Sequence, residues 1–425
     1  MTVLSIVEHA EISVGEAFSA EPADPTIGHR HAWLIERLNR RLEDRGSPAP
    51  FELGYRSVKA RHYCGVIALG PDAIEILPKI DSAESGGSAT EARVRLLTML
   101  AVARRLPLHP ADVARMARGG DSLLEIFLCL FAAQALTVIR SGLVHRYERM
   151  EDELRVVRGK ISHALQATSN AARPDRIWCA FDEFTPDNGL NRAIKAAAVR
   201  GISVGALSST QSALREVVYS LEGVSDVAPR VDEFRAFPRD RLTRSYREVV
   251  DLAGSILFGP TPDVVSGRES HVALLFDMNK LFEEFIGRLI LDLTSEGHLE
   301  ISLQGPRRWL GTENEKIDRF LLRPDVVLAQ HGVPVGVIDT KWKRLPDEDP
   351  ASQVSEADAY QMLAYMTSYK TSSGALLYPW SGESDVLSVK SEIMMEGKRL
   401  IIAGVNLRDM SLVPTQLEAL IGAIC

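Results

Sequence analysis

Residues 323–343 constrain this chain most: RPDVVLAQHGVPVGVIDTKWK. Two β-type runs flank His331-Gly332, which is the pattern of a hairpin. With the loop centred on Gly332, Asp325 and Asp339 each stand seven positions away and face each other across the strand pair. Directly paired side chains have Cβ atoms roughly 4.5–5.5 Å apart, and like charges in that position destabilise a sheet. Two carboxylates so placed call for a cation between them. Lys341, two residues past Asp339, points to the same face of its strand. An Asp-x-Lys sequence alone is common among solvated edge residues. Here the Pro-Asp partner lies at hairpin distance, and residues 335–338 are too apolar for an exposed edge.

The residue types suit a defined chemistry. Asp325 and Asp339, with the backbone carbonyl of Thr340 between Asp339 and Lys341, make an all-oxygen metal site suited to Mg2+ or Mn2+. A metal there lowers the pKa of bound water and polarises a phosphate. Lys341 is placed to orient that water or to stabilise charge on the phosphate. Gln361 and Tyr365 follow at i, i+4 on one helical face, either reaching the site or the DNA backbone, or serving as a polar neighbour and an aromatic anchor. Glu283 flanks the apolar stripe of the helix at 276–293 and is a candidate third carboxylate, either on the metal or on its water; a solvated helix charge is the alternative. Glu284 points further from the stripe and is the weaker candidate.

At 425 residues the chain fits two or three domains. The expected fold class is α+β multidomain, a β-rich and helical N-terminal half followed by a C-terminal α/β unit. Residues 1–90 read as β-rich, with a polar linker at 81–90. Residues 91–264 read as mainly helical, with a charged hairpin or bent helix projecting near 145–162, and 265–425 as a helix, strands, a helix and a strand. The formal net charge of −8 means that DNA contact has to come from a local patch or from a partner. Cys64, Cys129, Cys179 and Cys425 are scattered without CxxC spacing, which argues against a zinc site or a disulfide framework and for a reducing cytoplasm. No apolar run of ~18 or more residues predicts a membrane span, and the N-terminus lacks the pattern of a secretory signal. A GxxxxGK[ST] segment is absent, so nucleotide hydrolysis is not expected of this polypeptide.

In combination and order, several segments resemble the McrC family, the nuclease subunit of modification-dependent restriction systems. They are RGKI (158–161), FDEFTPDNGLN (181–191), FDMNKLFE (276–283), RPD (323–325), IDTK (338–341), DAYQMLAY (358–365) and ALLYP (375–379). The resemblance implies a PD-(D/E)XK, restriction-endonuclease-like C-terminal domain with Asp325, Asp339, Lys341, Gln361 and Tyr365 as its catalytic set. It also implies a separate AAA+ GTPase ring, McrB-like, that recognises methylated double-stranded DNA and is stimulated by the McrC N-terminal half. Arg158 and Lys160 are candidate contacts to that ring; a glycine turn between two solvated cations is the alternative. A stand-alone RecB-like nuclease and a non-catalytic GTPase-activating adaptor remain competing readings.

Overall fold

The computed structural model describes residues 2–425 apart from 22–23, 45–47, 80–87, 104–121, 171–172, 174, 238–239, 242, 259–270, 295–298, 314–316, 346–348 and 381–387. Strand β1 (Thr2–Val7) leads into a small unit of β2 (Glu11–Gly15), β3 (Thr26–Gly28), helix α1 (His29–Glu43), β4 (Phe51–Leu53) and β5 (Ser57–Ala60), whose strands run in the order β3-β2-β5-β4. β6 (Tyr63–Leu69) and β7 (Asp72–Leu77) follow and pair antiparallel, with β1 added parallel to β7.

β6 is buried along its whole length because both faces are covered. Cys64, Val66 and Ala68 join the main core, while Ile67 and Leu69 join the core of the small unit. The residue-91 region opens with α2 (Ala89–Ala103) and α3 (Leu123–Ser141). By length and composition α3 could cross a membrane, but twelve of its side chains are buried in the protein core. Ser122 caps it by accepting from the Glu125 backbone N–H.

The segment expected to project as a charged hairpin or bent helix is a sheet. β8 (Arg146–Leu154), β9 (Lys160–Ile161) and, after α4 (His163–Ser169), β10 (Ile177–Thr185) pair in the order β8-β10-β9, with most of β8 exposed. Helices α5 (Gly189–Val204), α6 (Ser208–Ser220), α7 (Val231–Arg235) and α8 (Arg247–Phe258) complete the helical layer. Asn188 caps α5 from the TPDN segment by accepting from the Leu190 and Asn191 backbone N–H groups.

The boundary expected near residue 265, and most of the linker expected at 81–90, lie outside the described residues. Just after that boundary, β11 (His271–Asp277) pairs antiparallel with β6 and completes the sheet β1-β7-β6-β11. It therefore belongs to the N-terminal sheet. Gly65 is what permits this approach: at φ 137° in β6, an added Cβ would lie 1.9 Å from the Leu274 carbonyl oxygen of β11.

α9 (Met278–Leu293) starts at the end of β11 and is capped by Asp277. β12 (Leu299–Leu303), a hairpin of β13 (Arg308–Glu313) and β14 (Ile317–Leu322), β15 (Val326–Gln330) and β16 (Val333–Thr340) follow. Then come α10 (Glu356–Tyr369), β17 (Ser373–Trp380), β18 (Ser388–Met395), β19 (Lys398–Asn406) and α11 (Val413–Ile424). The six-stranded sheet has the order β12-β15-β16-β17-β19-β18, parallel only between β16, β17 and β19. Alternate residues divide cleanly between its two faces. Val326, Leu328, Ile338, Leu377 and Ile401 lie in one core with α9 and α11, whereas Val327, Val337, Leu376 and Ile402 lie in another with Met362, Tyr365 and Met366 of α10.

Candidate active site

The β15–β16 turn carries positive φ at both central residues, His331 (49°) and Gly332 (75°), as a two-residue hairpin loop of the primed type requires. A regular ladder from such a turn would pair Gln330 with Val333 and, further down, Asp325 with Ile338. A bulge intervenes. Ala329 pairs with Pro334 but Leu328 pairs with Gly336, so Val335 is an extra residue and the register shifts by one. From there Val327 faces Val337 and Val326 faces Ile338, so Asp325 and Asp339 are the next positions in register. The bulge thus turns Asp339, with Val337, to the α10 face that Asp325 and Val327 already occupy.

The ladder hydrogen bonds stop at this point, and the Asp325 side chain takes over the pairing. Its Oδ2 accepts from both the backbone N–H and the Oγ1 hydroxyl of Thr340, each at 2.7 Å. Burial, then the charges of Asp339 and Glu283, push the Asp325 carboxyl up to about 7 despite these bonds. Burial also raises the Asp339 carboxyl; the Lys341 ammonium offsets this only in part, and Asp358 and Glu283 add to the rise.

Lys341 Nζ lies 2.7 Å from Asp339 Oδ2 as an ion pair, 3.4 Å from Asp358 Oδ1, and donates to Gln361 Oε1 at 3.0 Å. Burial pulls its pKa down, but Asp339 and Asp358 outweigh that and hold it above the ordinary lysine value. Gln361 in turn donates to the Tyr365 hydroxyl at 2.8 Å, and that hydroxyl donates to the Arg323 carbonyl at 3.2 Å. The chain Lys341–Gln361–Tyr365 therefore ties α10 to the end of β16 and to the residue two before Asp325.

Glu283 is close enough to act on both aspartates through its charge, but its Oε1 is engaged by Gln304 Nε2 at 2.6 Å, and Arg323 donates to the Gln304 side-chain oxygen. Among the described residues no three His, Cys, Asp or Glu side chains form a ready metal-ligand cluster. The fit to a hard divalent cation rests on two features. One is the pair of carboxylates, Asp339 buried and Asp325 half-buried. The other is Asp339 Oδ2, which has the Lys341 ion pair but no donor in hydrogen-bond geometry. Oxygen donors of this kind suit Mg2+ or Mn2+, with water completing the shell.

Sequence reasoning missed Asp358 and Lys343. Asp358 is buried, accepts from Ser355 Oγ at 2.8 Å and pairs with Lys343 at 3.2 Å as well as with Lys341. The Ser-x-x-Asp signal of 355–358 reads as a helix cap, which it also is. Arg158 and Lys160 lie outside this site, on the β8-β10-β9 sheet. The Arg158 guanidinium sits 4.1 Å over the Phe181 ring and 3.7 Å from Glu183, and Lys160 pairs with Ala180 in the ladder. Between them Gly159 has φ 68°, and a Cβ there would meet the Ala180 carbonyl oxygen at 2.4 Å.

Comparison with known proteins places this chain in a family. The fold matches a chain of the refined half-complex from a tetradecameric assembly of Thermococcus gammatolerans McrB AAA+ hexamers with bound McrC, at TM-score 0.67 and 20% identity, covering 99% of this chain and 100% of that one. A cryo-EM structure of the Thermococcus gammatolerans McrBC complex matches over 69% of this chain and 88% of that one, at TM-score 0.49 and 24% identity. No curated protein matches the sequence. A family model described as McrBC 5-methylcytosine restriction system component matches residues 58–379. The resemblance read from the motifs is thereby borne out, and the chain belongs to the McrBC 5-methylcytosine restriction system component family.

Proposed function

We propose that this chain is the DNA-cutting subunit of a modification-dependent restriction complex, a metal-dependent endonuclease acting on methylated double-stranded DNA. The observation that carries the reading is the facing Asp325–Asp339 pair, half-buried and buried respectively, with the Lys341 amine 2.7 Å from Asp339. Asp325 and Asp339 would hold Mg2+ or Mn2+, which when bound supplies Lewis-acid polarisation of the phosphate and a more acidic water.

The protein's own groups do the rest. Thr340 fixes one oxygen of Asp325, so that carboxylate is oriented before any substrate arrives. Lys341, held by Gln361 and Asp358, presents a fixed positive charge where a scissile phosphate gathers negative charge. Tyr365 and Gln361 keep that lysine aligned.

We further propose that DNA is delivered by an AAA+ GTPase ring of the McrB type, bound through the exposed β8-β10-β9 sheet that carries Arg158 and Lys160. The McrB hexamers with bound McrC in the similar assembly support this partner, as does the absence of a GxxxxGK[ST] segment here. With a net charge of −8, the chain has few cations to spare for gripping phosphates itself. Asp339→Ala should bring Mg2+-dependent cleavage by the reconstituted complex down to background while the complex still assembles. Cleavage at the wild-type rate would remove Asp339 from the site.

A further inference from the structure

Glu8 is a buried carboxylate for which the cleavage chemistry has no role. It closes the turn after β1, 2% exposed, with its backbone N–H bonded to the Leu77 carbonyl. Its Oε1 accepts from the Lys79 backbone N–H at 2.9 Å. Both carboxylate oxygens also accept the indole Nε1–H of Trp342, at 3.0 and 3.1 Å, across 334 positions of sequence. The nearest ion-pair partner, His9, is 4.0 Å away. Its hydrogen-bond donors are neutral, and the Lys79 charge only partly offsets burial, which raises the Glu8 carboxyl; that is an expensive way to fill a turn.

What the carboxylate holds explains the placement. Trp342 directly follows Lys341, and its ring packs 5.4 Å from the Phe282 ring of α9. Lys341 and Lys343 on either side both reach Asp358, and the Lys343 backbone N–H closes a tight turn on the Lys341 carbonyl. Side chains therefore leave the end of β16 in two directions: the lysines toward α10, and the tryptophan toward α9 and the N-terminal sheet. With the Trp342 side fixed, the Lys341 side is fixed too.

We propose that Glu8 is a positioning residue for DNA cleavage. From the N-terminal sheet it clamps Trp342, and so holds Lys341 against Asp339. This rests on the nuclease reading above. It makes the geometry of the cutting centre depend on the N-terminal half, the half that carries the exposed β8-β10-β9 sheet.

The test uses the full chain with its AAA+ partner, GTP, Mg2+ and linear double-stranded DNA carrying 5-methylcytosine. Glu8→Ala and Trp342→Phe should each lower kcat for cleavage by about 10- to 100-fold, the cost of a small misplacement of a catalytic group, without raising KM for DNA. Glu8→Gln keeps an oxygen that accepts the indole N–H and should recover the rate to within a few-fold of wild type. The double variant Glu8→Ala/Trp342→Phe should lose no more than either single variant, because both remove one link. Stimulation of the partner's GTPase should stay at the wild-type level in all four.

Unchanged rates, losses that multiply in the double variant, an effect on KM alone, Gln no better than Ala, or a parallel loss of GTPase stimulation would each overturn the proposal. No cleavage even by the wild-type complex would instead overturn the nuclease reading on which it rests, and the proposal with it.

Discussion

Asp325 lies where an ordinary carboxylate would be unstable, and its carboxyl is pushed up to about 7 by burial and by the charges of Asp339 and Glu283. An unfolded aspartate ionises near pH 4, so between about pH 4 and 7 the unfolded chain loses this proton while the folded one keeps it. The contribution of Asp325 is therefore fully present below about pH 4 and is lost as pH rises through about 7. In chelator-treated protein, Asp325→Asn should remove this part of the decline. Urea midpoints at pH 5 and pH 7.5 measure it: the wild type should lose more stability between the two than the variant. Equal losses would contradict the burial and charge assigned to Asp325. Asp325, Asp339, Lys341, Gln361 and Tyr365 were legible from sequence because they fall in two short segments whose strand or helix spacing groups them, although Asp325 reaches Asp339 only through the bulge at Val335. Asp358 was not, because its pairing with Lys341 exists only where α10 crosses the end of β16. Glu8 was further from view, since no local pattern connects it to Trp342.

Among the elements, the β15–β16 hairpin shows how near sequence reasoning came and why it needed the structure. Centring the loop on Gly332 puts Asp325 opposite Asp339, and the ladder agrees below Leu328. The reason differs. The turn itself is centred between His331 and Gly332, and the extra Val335 restores the register. A one-residue slip moves every following side chain to the other face, so without the bulge Asp339 would enter the core with α9 and α11.

The FDEFTPDNGLN segment reads in sequence only as a motif, and its physical role is local. Asp187 accepts two bonds from Arg192, at 2.7 and 3.0 Å, and two from Ser225, each at 3.0 Å, pinning the start of α5 to the chain beyond α6. Arg192 first, then the Ser225 bonds, lower its carboxyl to about 2 against the opposing effect of burial. A depressed aspartate stabilises the fold above the unfolded value near 4 and stops doing so as pH falls through about 2. Asp187→Asn should therefore cost about 2 kcal/mol at pH 7. The gap between wild type and variant should shrink as the pH approaches 2, and thermal or urea unfolding across that range checks it.

At the scale of the whole molecule, the α+β class and the β-rich start were legible, and contacts cross the coarse boundary expected near residue 265. β11 lies in the N-terminal sheet, α9 packs on α2, and one apolar core runs from Cys64 to Ile424. Periodicity reports which face of an element is buried. It does not report which other element covers that face, so the contacts across that boundary could not be read from sequence. The six-stranded sheet that carries Asp325 and Asp339 and the N-terminal sheet are thus joined through one apolar core. Reversing Arg158 and Lys160 to glutamate should prevent assembly with the AAA+ ring on size exclusion while the isolated chain stays folded, since both side chains are exposed and, apart from the Arg158 contact with Phe181, lie away from the apolar cores. A normal complex would place the interface elsewhere.

The central claim is that Asp325, Asp339 and Lys341 form a nuclease centre that works inside that assembly. Its most direct test measures DNA cleavage and GTP hydrolysis together, in the reconstituted complex, for wild type and Lys341→Ala. Mg2+-dependent cleavage is expected of the wild type. The variant should assemble and stimulate GTP hydrolysis normally but not cut. A variant that cuts at the wild-type rate would contradict the claim.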